Sequence, residues 1–254
     1  MEFNKKIALV TGGSRGLGKN MALRIAEKGI DVVLTYHSNE AEAKAVVKDI
    51  EEMGVKALAL QFDGGNIAGF EDFLERLKGG LSETFGTDKF DFLINNAGIG
   101  IYAPFGETTE EQFDQLSNLL FKGPYFLTQL ALPILNNGGG IINISSGLAR
   151  FVGPGYAAYG AMKAAMDTLS RYQAVELGYR GIKSNTVAPG AIETDFGGGV
   201  VRDNKEYNDA VKAMTALGRA GLPQDIGGVV AFLCTEDASW INAQRIEVSG
   251  GMRL

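Results

Sequence analysis

Cysteine, histidine and tryptophan are nearly missing from this chain of 254 residues, which has one of each. The single cysteine, Cys234, excludes an intramolecular disulfide and fits a reducing compartment. With only Cys234 and His37 available, a structural zinc site of four cysteine or histidine ligands is excluded. A serine–histidine–aspartate hydrolase would have to use His37. We therefore predict no bound metal.

Excess positive charge and long apolar runs are also missing. The 24 basic residues are outnumbered by 30 acidic ones, which argues against a broad nucleic-acid surface. The longest apolar stretch lies around Val229–Cys234, far too short for a membrane span. The run Ile7–Val10, after the polar segment Met1–Lys6, is too short for a signal-peptide core. We expect a cytoplasmic protein with no nucleic-acid or membrane partner.

Glycine is abundant, and short apolar runs alternate with longer helical patterns. The 35 glycines are about twice the usual share. The predicted strands are nearly all apolar, which is typical of a parallel sheet covered on both faces. They are Ile7–Thr11, Val32–Tyr36, Ala57–Phe62, Phe92–Asn95, Ile141–Ile144, Ser184–Val187 and Ile246–Val248. The predicted helices are Leu17–Lys28, Glu40–Met53, Phe70–Phe85, Glu110–Leu135, Tyr156–Leu177, Asn204–Ala216 and Pro223–Thr235.

This alternation predicts one α/β domain over residues 1–254, a Rossmann-type doubly wound parallel sheet of seven strands with helices on both faces. An eight-fold βα barrel of similar length is the competitor. The chain has seven candidate strands, and its glycine loop follows the first strand rather than a late one. The stretch Gly197–Gly199 is too short for a linker, so we expect it to begin a substrate lid over about 195–216.

A glycine-rich loop follows the first predicted strand and leads into a helix. It reads Thr11-Gly12-Gly13-Ser14-Arg15-Gly16-Leu17-Gly18. Backbone N–H groups at a helix N-terminus bind phosphate where no Cβ obstructs them. We assign the turn to Gly12, the approach of a pyrophosphate to Gly16, and close helix–strand packing to Gly18. No Gly-Lys-Ser/Thr follows, so the loop is not a P-loop. A glycine-rich turn without a ligand is the alternative.

The end of the second predicted strand indicates which nucleotide binds. An NAD site usually has an acidic residue there, whereas Thr35-Tyr36-His37-Ser38 contains none. The guanidinium of Arg15 suits a ribose 2′-phosphate. We therefore predict NADP(H) rather than NAD(H), with Arg15, His37 and Ser38 around that phosphate. A solvated Arg15 is the alternative, and a cofactor contact of His37 stays open against simple solvent exposure.

A tyrosine and a lysine, Tyr159 and Lys163, lie four apart in a predicted helix and so share one face. Ser146 follows the strand Ile141–Ile144, whose carboxyl end borders the ligand crevice. Reduction of a carbonyl needs a proton at oxygen, and a nearby ammonium lowers the pKa of tyrosine. Ser146 can donate a hydrogen bond to the developing oxyanion. Each feature also occurs by chance, so the combination with the glycine loop carries the prediction.

Together these motifs resemble the short-chain dehydrogenase/reductase family, and above all bacterial 3-oxoacyl-reductase-like members. The matching pieces run nearly end to end. Besides the glycine loop they are Asp63, Asn95-Asn96-Ala97-Gly98, Ser145-Ser146, Tyr159-x-x-x-Lys163, Pro189-Gly190-Ala191-Ile192-Glu193-Thr194 and Val248-Ser249-Gly250-Gly251. The resemblance implies an NADP(H)-dependent oxidoreductase that interconverts a carbonyl and a secondary alcohol of a small molecule by hydride transfer.

The resemblance also implies individual roles. Ser146, Tyr159 and Lys163 would be catalytic, with Tyr159 as acid/base and Lys163 binding the nicotinamide ribose. Asp63 would contact adenine and Asn95 the adenosine ribose. The residues expected at the cofactor are Gly12, Ser14, Arg15, Gly16, Leu17, Gly18, His37, Ser38, Asp63, Asn95, Ala97, Gly98, Tyr159, Lys163, Pro189, Gly190, Ile192 and Thr194, of which Ile192 and Thr194 would hold the carboxamide end.

A homo-oligomer, tetramer or dimer, is implied as well. The helices Glu110–Leu135 and Tyr156–Leu177 would form one interface, and small residues such as Ala161 and Ala165 would permit close packing there. Packing of these small residues on the sheet of the same chain is the alternative.

One departure from the family pattern concerns Leu120. Most members carry an asparagine three residues before the glycine that here is Gly123, and this asparagine helps to organise a water chain to the lysine. Leucine cannot form hydrogen bonds. Asn118 lies about 200° around the helix from Leu120, so it could substitute only through a local bulge. The departure supports an alternative function, a catalytically weakened homologue that acts as a nucleotide-binding or structural protein.

The substrate region is expected to be apolar. Its lining segments would be Ile99–Phe105, Leu148–Gly155 and Gly197–Ala216, with Leu148, Phe151, Tyr102 and Phe196 in the pocket. An acidic acyl carrier protein would need basic residues at the rim, for which Arg150, Arg171 and Arg180 are candidates. Small ketones, quinone-like and sugar-like carbonyls stay equally open. An epimerase or dehydratase of the extended branch is a third hypothesis, against which the short length counts.

Overall fold

Seven strands form one parallel sheet within residues 5–254, the part of the chain that the computed structural model describes. Their bounds are β1 Ile7–Val10, β2 Asp31–Tyr36, β3 Ala57–Gln61, β4 Phe90–Asn95, β5 Leu135–Ile144, β6 Lys183–Pro189 and β7 Arg245–Val248. The spatial order β3-β2-β1-β4-β5-β6-β7 is an open sheet. It confirms the predicted Rossmann-type fold and excludes the barrel. Residues 1–4 of the predicted domain lie outside the described residues.

Helices cover both faces of the sheet. They are α1 Gly16–Ala26, α2 Glu40–Glu51, α3 Phe70–Phe85, α4 Glu110–Ser117, α5 Gly123–Ala131, α6 Ala157–Glu176, α7 Val200–Asp203, α8 Lys205–Ala213 and α9 Pro223–Leu233. Met21 of α1, Val46 of α2 and Val230 of α9 pack on one face. Phe73 of α3 and Leu127 of α5 pack on the other. No helix among these residues is both long and apolar enough to span a membrane.

Strand β1 shows why the predicted strands lack apolar–polar alternation. Successive side chains of a strand point to opposite faces. Ala8 and Val10 enter the core under α1 and α9, while Ile7 and Leu9 enter the core under α3 and α5. All four are buried. Both faces of the central strands are therefore apolar, because helices exclude water from both.

The long helix predicted over Glu110–Leu135 is wrong in its middle and at its end. The five residues Asn118–Lys122 form a π-helical segment, in which the N–H of Gly123 donates to the carbonyl of Asn118 five residues back. Pro124 lacks an N–H, so the regular hydrogen-bond ladder cannot continue at this point. A 3-10 turn that contains Pro133 ends the helical region. Strand β5 begins at Leu135, six residues before the predicted start at Ile141.

The other predicted bounds differ from the structure by a few residues at the ends. The predicted helix Asn204–Ala216 ends at Ala213, because Thr215 pairs with Met252 in an antiparallel bridge. The predicted lid, residues 195–216, comprises a 3-10 turn over Phe196–Gly199, then α7 and α8. Its function as a lid stays a prediction.

Candidate active site

The parallel strands bring the sequence motifs to one edge of the sheet. The winding direction reverses between the neighbours β1 and β4, and ligands bind at the carboxyl ends of strands beside such a point. The glycine loop follows β1, Asn95–Gly98 ends and follows β4, Ser146 follows β5, and Pro189 ends β6. The topology therefore brings the predicted cofactor and catalytic residues to one crevice.

Two glycines show what the loop after β1 requires. Gly16 begins α1 with φ +55°. A Cβ added at Gly16 would have Thr194 Cβ as its nearest neighbour, 3.8 Å away. A Cβ on Gly18 would lie 2.0 Å from the carbonyl oxygen of Gly12. Close packing at Gly18 thus agrees with the prediction, although it occurs against the loop rather than the strand. Ser14 is half-buried, and Leu17 packs partly against the core.

Asn96 and Thr11 hold the glycine loop, a role that the sequence analysis did not assign. The amide nitrogen of Asn96 donates to the carbonyls of Thr11, at 2.8 Å, and Gly12, at 3.3 Å. The hydroxyl of Thr11 accepts the N–H groups of Asn96 and Ala97 at 2.9 and 3.0 Å. Both residues belong to the sequence motifs, which indicated where they lie in the chain but not this role.

The predicted adenosine end of the site lies at the ends of β2 and β3. Arg15, His37, Ser38 and Asp63 are exposed there, and His37 Nε2 lies 3.9 Å from a carboxylate oxygen of Asp63. A cavity of about 450 Å³ opens beside them, and its walls include His37, Phe62, Asp63, Phe73 and Arg76. Of the positions predicted at this end of the site, His37 and Asp63 border the cavity, whereas Arg15 and Ser38 are not among its walls.

Asn95 forms hydrogen bonds inside the protein. Its side chain is buried, and its amide nitrogen donates to Thr128 Oγ1 at 3.2 Å and to Asn143 Oδ1 at 2.8 Å. Its Oδ1 atom is buried without a hydrogen-bond partner among residues 5–254. The side chain thus joins β4 to β5 and α5. The expected contact of Asn95 with the adenosine ribose stays a prediction.

The loop after β6 closes the other side of the crevice. Thr194 is buried and faces the glycine loop at Gly16. Ile192 forms a parallel bridge with Gly221 and is half-buried. Pro189 is buried at the end of β6, and a Cβ on Gly190 would lie 2.9 Å from Ser249 Cα. The motif tail Ser249–Gly251 therefore packs behind the predicted carboxamide site.

Tyr159 and Lys163 are buried side by side on α6. The Lys163 Nζ atom lies 5.8 Å from the centre of the Tyr159 ring and donates to the carbonyl of Ile144 at 2.7 Å. Ser145 Oγ donates to the carbonyl of Lys163 at 3.1 Å. Ser146 begins the next turn, and its hydroxyl accepts the N–H of Leu148. Helix α6 is thus fixed to the end of β5, where the predicted catalytic serine lies.

Burial sets the protonation of this pair. It raises the pKa of Tyr159 to about 12, and a hydrogen bond with Ser146 acts in the opposite direction. Burial also lowers the pKa of Lys163 to about 8, and the charge of Asp167 acts against that shift. Both shifts follow from the cost of a charge away from water. At neutral pH the phenol carries its proton and Lys163 is mostly an ammonium ion.

Leu120 lies beside Tyr159 and Lys163. It is buried in one cluster with Leu116 and Tyr159, and its Cδ2 atom lies 3.0 Å from the Cβ position of Gly98. Lys163 Nζ lies 3.9 Å from the same Gly98 position. The local bulge considered for Asn118 exists as the π-helical segment. The residue that this segment packs against Tyr159 is nevertheless Leu120.

Aromatic side chains line the mouth above Tyr159. Phe196 lies 5.8 Å from Tyr159 between ring centres, and Tyr156 lies 6.3 Å from it. Tyr102 lies 5.6 Å from Tyr156. Ile99, Ile101 and Leu148 pack against the same cluster. Most of the predicted apolar pocket therefore lies next to Tyr159, the predicted catalytic tyrosine.

Phe151, by contrast, lies between two arginines, with Arg150 and Arg253 at 5.6 and 5.4 Å from its ring centre. The candidate basic rim is also engaged within the chain. Arg150 is paired with Glu247, and Arg180 donates to Asn137 and to two backbone carbonyls. This arrangement weakens the case for docking of an acidic carrier protein.

Comparison with known proteins identifies the family. Residues 12–253 match a family described as enoyl-(acyl carrier protein) reductase. The hydroxynaphthalene reductase-like protein Arp2 of Metarhizium majus is 37% identical over 257 residues, which cover 97% of this chain and 94% of the relative.

Two solved structures are similar over nearly the whole chain. The promiscuous reductase LugOII, which catalyses keto-reduction at C1 during lugdunomycin biosynthesis, has a TM-score of 0.93 at 36% identity and covers 100% of both chains. The angucycline C-6 ketoreductase LanV with bound NADP has a TM-score of 0.93 at 35% identity, over 98% of this chain and 95% of that one. The chain therefore belongs to the short-chain dehydrogenase/reductase family of oxidoreductases, which confirms the resemblance seen in its motifs.

Proposed function

We propose that this protein is an NADP(H)-dependent ketoreductase in which Tyr159 supplies the proton. The observation that carries the proposal is the burial of Tyr159 and Lys163 side by side, next to Ser146, at the edge of the sheet where the glycine loop opens. LugOII and LanV are named as reductases, and Arp2 is named as reductase-like. The alternative of a weakened, merely nucleotide-binding homologue has less support.

The residues of the site fit the cofactor. A Cβ at Gly16 would meet nothing closer than Thr194, so the helix N-terminus has room for a phosphate. No carboxylate ends β2, and the exposed Arg15 offers a guanidinium for a 2′-phosphate. One structural relative was crystallised with NADP. When bound, the cofactor supplies the hydride for the carbonyl carbon.

The side chains of this protein would handle the oxygen of the substrate. Ser146 would donate a hydrogen bond to the carbonyl oxygen as negative charge develops there. Tyr159 would donate its phenolic proton to the same oxygen, and the Lys163 ammonium would stabilise the phenolate left behind. Because burial raises the pKa of Tyr159 to about 12, the phenol is protonated at neutral pH. This state suits reduction of a ketone better than oxidation of an alcohol.

The test is Tyr159→Phe, followed by NADPH oxidation with a ketone substrate. We expect kcat to fall by about 100-fold or more, as for loss of a general acid. Tyr179→Phe is the control, since Tyr179 is an exposed tyrosine just after the same helix. Full activity of Tyr159→Phe would overturn the proposal.

The substrate class that fits the mouth of the site is a flat fused-ring ketone. Tyr102, Tyr156 and Phe196 offer ring faces and edges next to Tyr159. Aromatic pairs gain about 0.5–1.5 kcal/mol beyond area burial. The relative Arp2 is named for hydroxynaphthalene, a fused two-ring compound. We expect kcat/KM to be higher for 1-tetralone than for a short 3-ketoester, and the reverse order would contradict this assignment.

We also propose a homo-oligomer in a reducing, cytoplasmic compartment. Tyr172 and Val175 leave apolar surface exposed on α6, and Tyr125 does so on α5. Apolar side chains exposed on the surface of these helices favour an interface. Cys234 is buried, and burial raises the pKa of its thiol. Light scattering after gel filtration tests the assembly, and a monomer at micromolar concentration would contradict it.

A further inference from the structure

Asp167 lies one helical turn beyond Lys163 on α6. Tyr159, Lys163 and Asp167 follow a spacing of four residues, so they share one face of the helix. The Asp167 side chain is 10% exposed, and its Oδ2 atom accepts the Nε–H of Arg245 at 2.9 Å. Its Oδ1 atom is buried and has no hydrogen-bond partner within residues 5–254. A carboxylate buried in this way is costly, which suggests a purpose other than stability.

Arg245, at the start of β7, joins this carboxylate to the predicted catalytic serine. Its Nη2 atom donates to the carbonyl oxygen of Ser146 at 3.0 Å, and its Nη1 atom donates to Glu247 at 2.9 Å. One planar guanidinium therefore connects the helix that carries Tyr159 and Lys163 to the backbone at Ser146. The rigid fork of arginine suits such a fixed geometry.

Few charges act on Lys163 within the described residues 5–254. On its own helix they are Asp167 and, when ionised, Tyr159. The π-helical segment contributes the apolar Leu120, the turn after β4 contributes Gly98, and β5 contributes the carbonyl of Ile144. Burial favours the neutral amine, so Asp167 is the group that opposes it.

The groups on the other side of the ion pair are carboxylates and guanidinium groups, and the range of interest is neutral to moderately alkaline pH. Arg245 faces Glu247 as well as Asp167, and Glu247 is bonded twice to Arg150, at 2.7 and 2.9 Å. Carboxylates and guanidinium groups do not titrate there. A change of state with pH in this range therefore belongs to Lys163 or Tyr159.

We infer that Asp167 and Arg245 form a positioning pair for the proposed reaction. The carboxylate of Asp167 keeps Lys163 in its ammonium form, and the guanidinium of Arg245 holds the carbonyl of Ser146 against α6. Neither residue touches the reacting atoms. The inference rests on the proposed ketoreductase function.

The first test is Asp167→Asn, with two measurements. One is an NMR titration of the protein labelled with 13Cε-lysine, in which Lys163 is identified by its missing signal in Lys163→Met. The other is the pH dependence of kcat/KM for ketone reduction. We expect both the Lys163 midpoint and the alkaline limb of kcat/KM to move to lower pH by about one unit, the usual effect of losing one close opposite charge.

Two variants control this test. Glu176→Gln removes the same charge from the same helix, but about 20 Å along it from Lys163, and should leave both midpoints unchanged. Asp167→Glu restores the charge and should return both midpoints toward the wild-type values. An unshifted Lys163 midpoint in Asp167→Asn overturns the inference.

Arg245→Gln is an independent test, in which the Lys163 midpoint is expected to move in the opposite direction. It tests the inference even if Asp167→Asn does not fold. Without the guanidinium, the Asp167 charge acts on Lys163 without compensation, so the Lys163 midpoint should rise. Release of the Ser146 carbonyl should lower kcat about tenfold or more, with a smaller change of KM. An unchanged kcat, or a midpoint that stays or falls, overturns the inference.

Failure of the proposed function would look different. A folded wild-type protein that binds NADPH but reduces no ketone would contradict the ketoreductase assignment. The NMR titration would still show whether Asp167 controls the charge of Lys163.

Discussion

The ring of Phe196 stands against the ring of Tyr159, with centres 5.8 Å apart and planes inclined at 59°. Phe196 is 44% exposed, whereas Tyr159 is buried. Three glycines with positive φ, Gly197 to Gly199, follow Phe196 directly. A residue of the predicted lid therefore contacts the proposed proton donor at a point where the backbone turns sharply.

Phe196→Ala should weaken the binding of a fused-ring ketone more than that of a small one. Loss of one aromatic contact is worth about 0.5–1.5 kcal/mol, so we expect KM for 1-tetralone to rise about three- to tenfold. KM for a short 3-ketoester should change little. Phe196→Leu, which keeps apolar volume without the ring, should lie between the two. An equal loss for both ketones would show that Phe196 does not select the substrate.

Arg15→Ala should abolish the preference for NADPH. A hydrogen bond to a charged group contributes about 1.5–3 kcal/mol, so kcat/KM for NADPH should fall about 10- to 100-fold while that for NADH stays unchanged. Arg24→Ala is the control on the same helix, since Arg24 is paired with Glu27. An unaltered preference for NADPH over NADH in Arg15→Ala would show that Arg15 does not bind the 2′-phosphate.

Leu120→Asn tests whether the proton relay limits turnover. The substitution buries a polar group in an apolar cluster, which should lower the free energy of unfolding by about 3 kcal/mol. We nevertheless expect the turnover number to rise, because the amide would give Lys163 a hydrogen-bonding neighbour. Leu116→Asn, in the same cluster, should lower the free energy of unfolding without raising the turnover number. No rise in Leu120→Asn would mean that the relay through position 120 is not limiting.

Because of Lys163, the free energy of unfolding should vary with pH in the alkaline range. Its pKa is lowered from 10.5 to about 8 in the folded protein, so between these values the unfolded chain binds the proton and the folded protein does not. Stability therefore rises with pH across this window. Relative to Lys163→Met, the free energy of unfolding of the wild type should rise by up to about 3 kcal/mol across this window.

Urea titrations between pH 8 and 10 measure this gain. Above pH 10 the raised pKa of Tyr159 acts in the opposite direction, because the unfolded chain then loses the phenolic proton first. Lys28→Met, at an exposed position, should show a difference from the wild type that does not vary with pH. A constant difference in Lys163→Met as well would contradict a perturbed lysine.

The sequence predicted the helix Phe70–Phe85 in full and placed all seven strands within a few residues, apart from the early start of β5. Apolar runs buried on both faces and glycines at fixed offsets are local signals, which explains this success. The helix predicted over Glu110–Leu135 was wrong for a local reason. Pro124 and Pro133 each remove a backbone donor, so a π-helical segment and an early strand replace the continuous helix.

Within the site, local motifs indicated Tyr159, Lys163 and the glycine loop, because each lies within a few residues of its partners. The direction of Asn95 and the tether from Asn96 to the loop could not be predicted, since both depend on contacts across neighbouring strands.

The amino-acid sequence by itself determined the order of strands and helices, the glycine-rich start of α1 and the pairing of a tyrosine with a lysine one helical turn away. Only the tertiary structure decided that Arg245 meets both Asp167 and the carbonyl of Ser146. It also decided that Leu120 rather than Asn118 packs against Tyr159. Periodicity records which face of an element is buried. Contacts between residues far apart in the chain depend on how whole elements pack, and no local pattern carries that information.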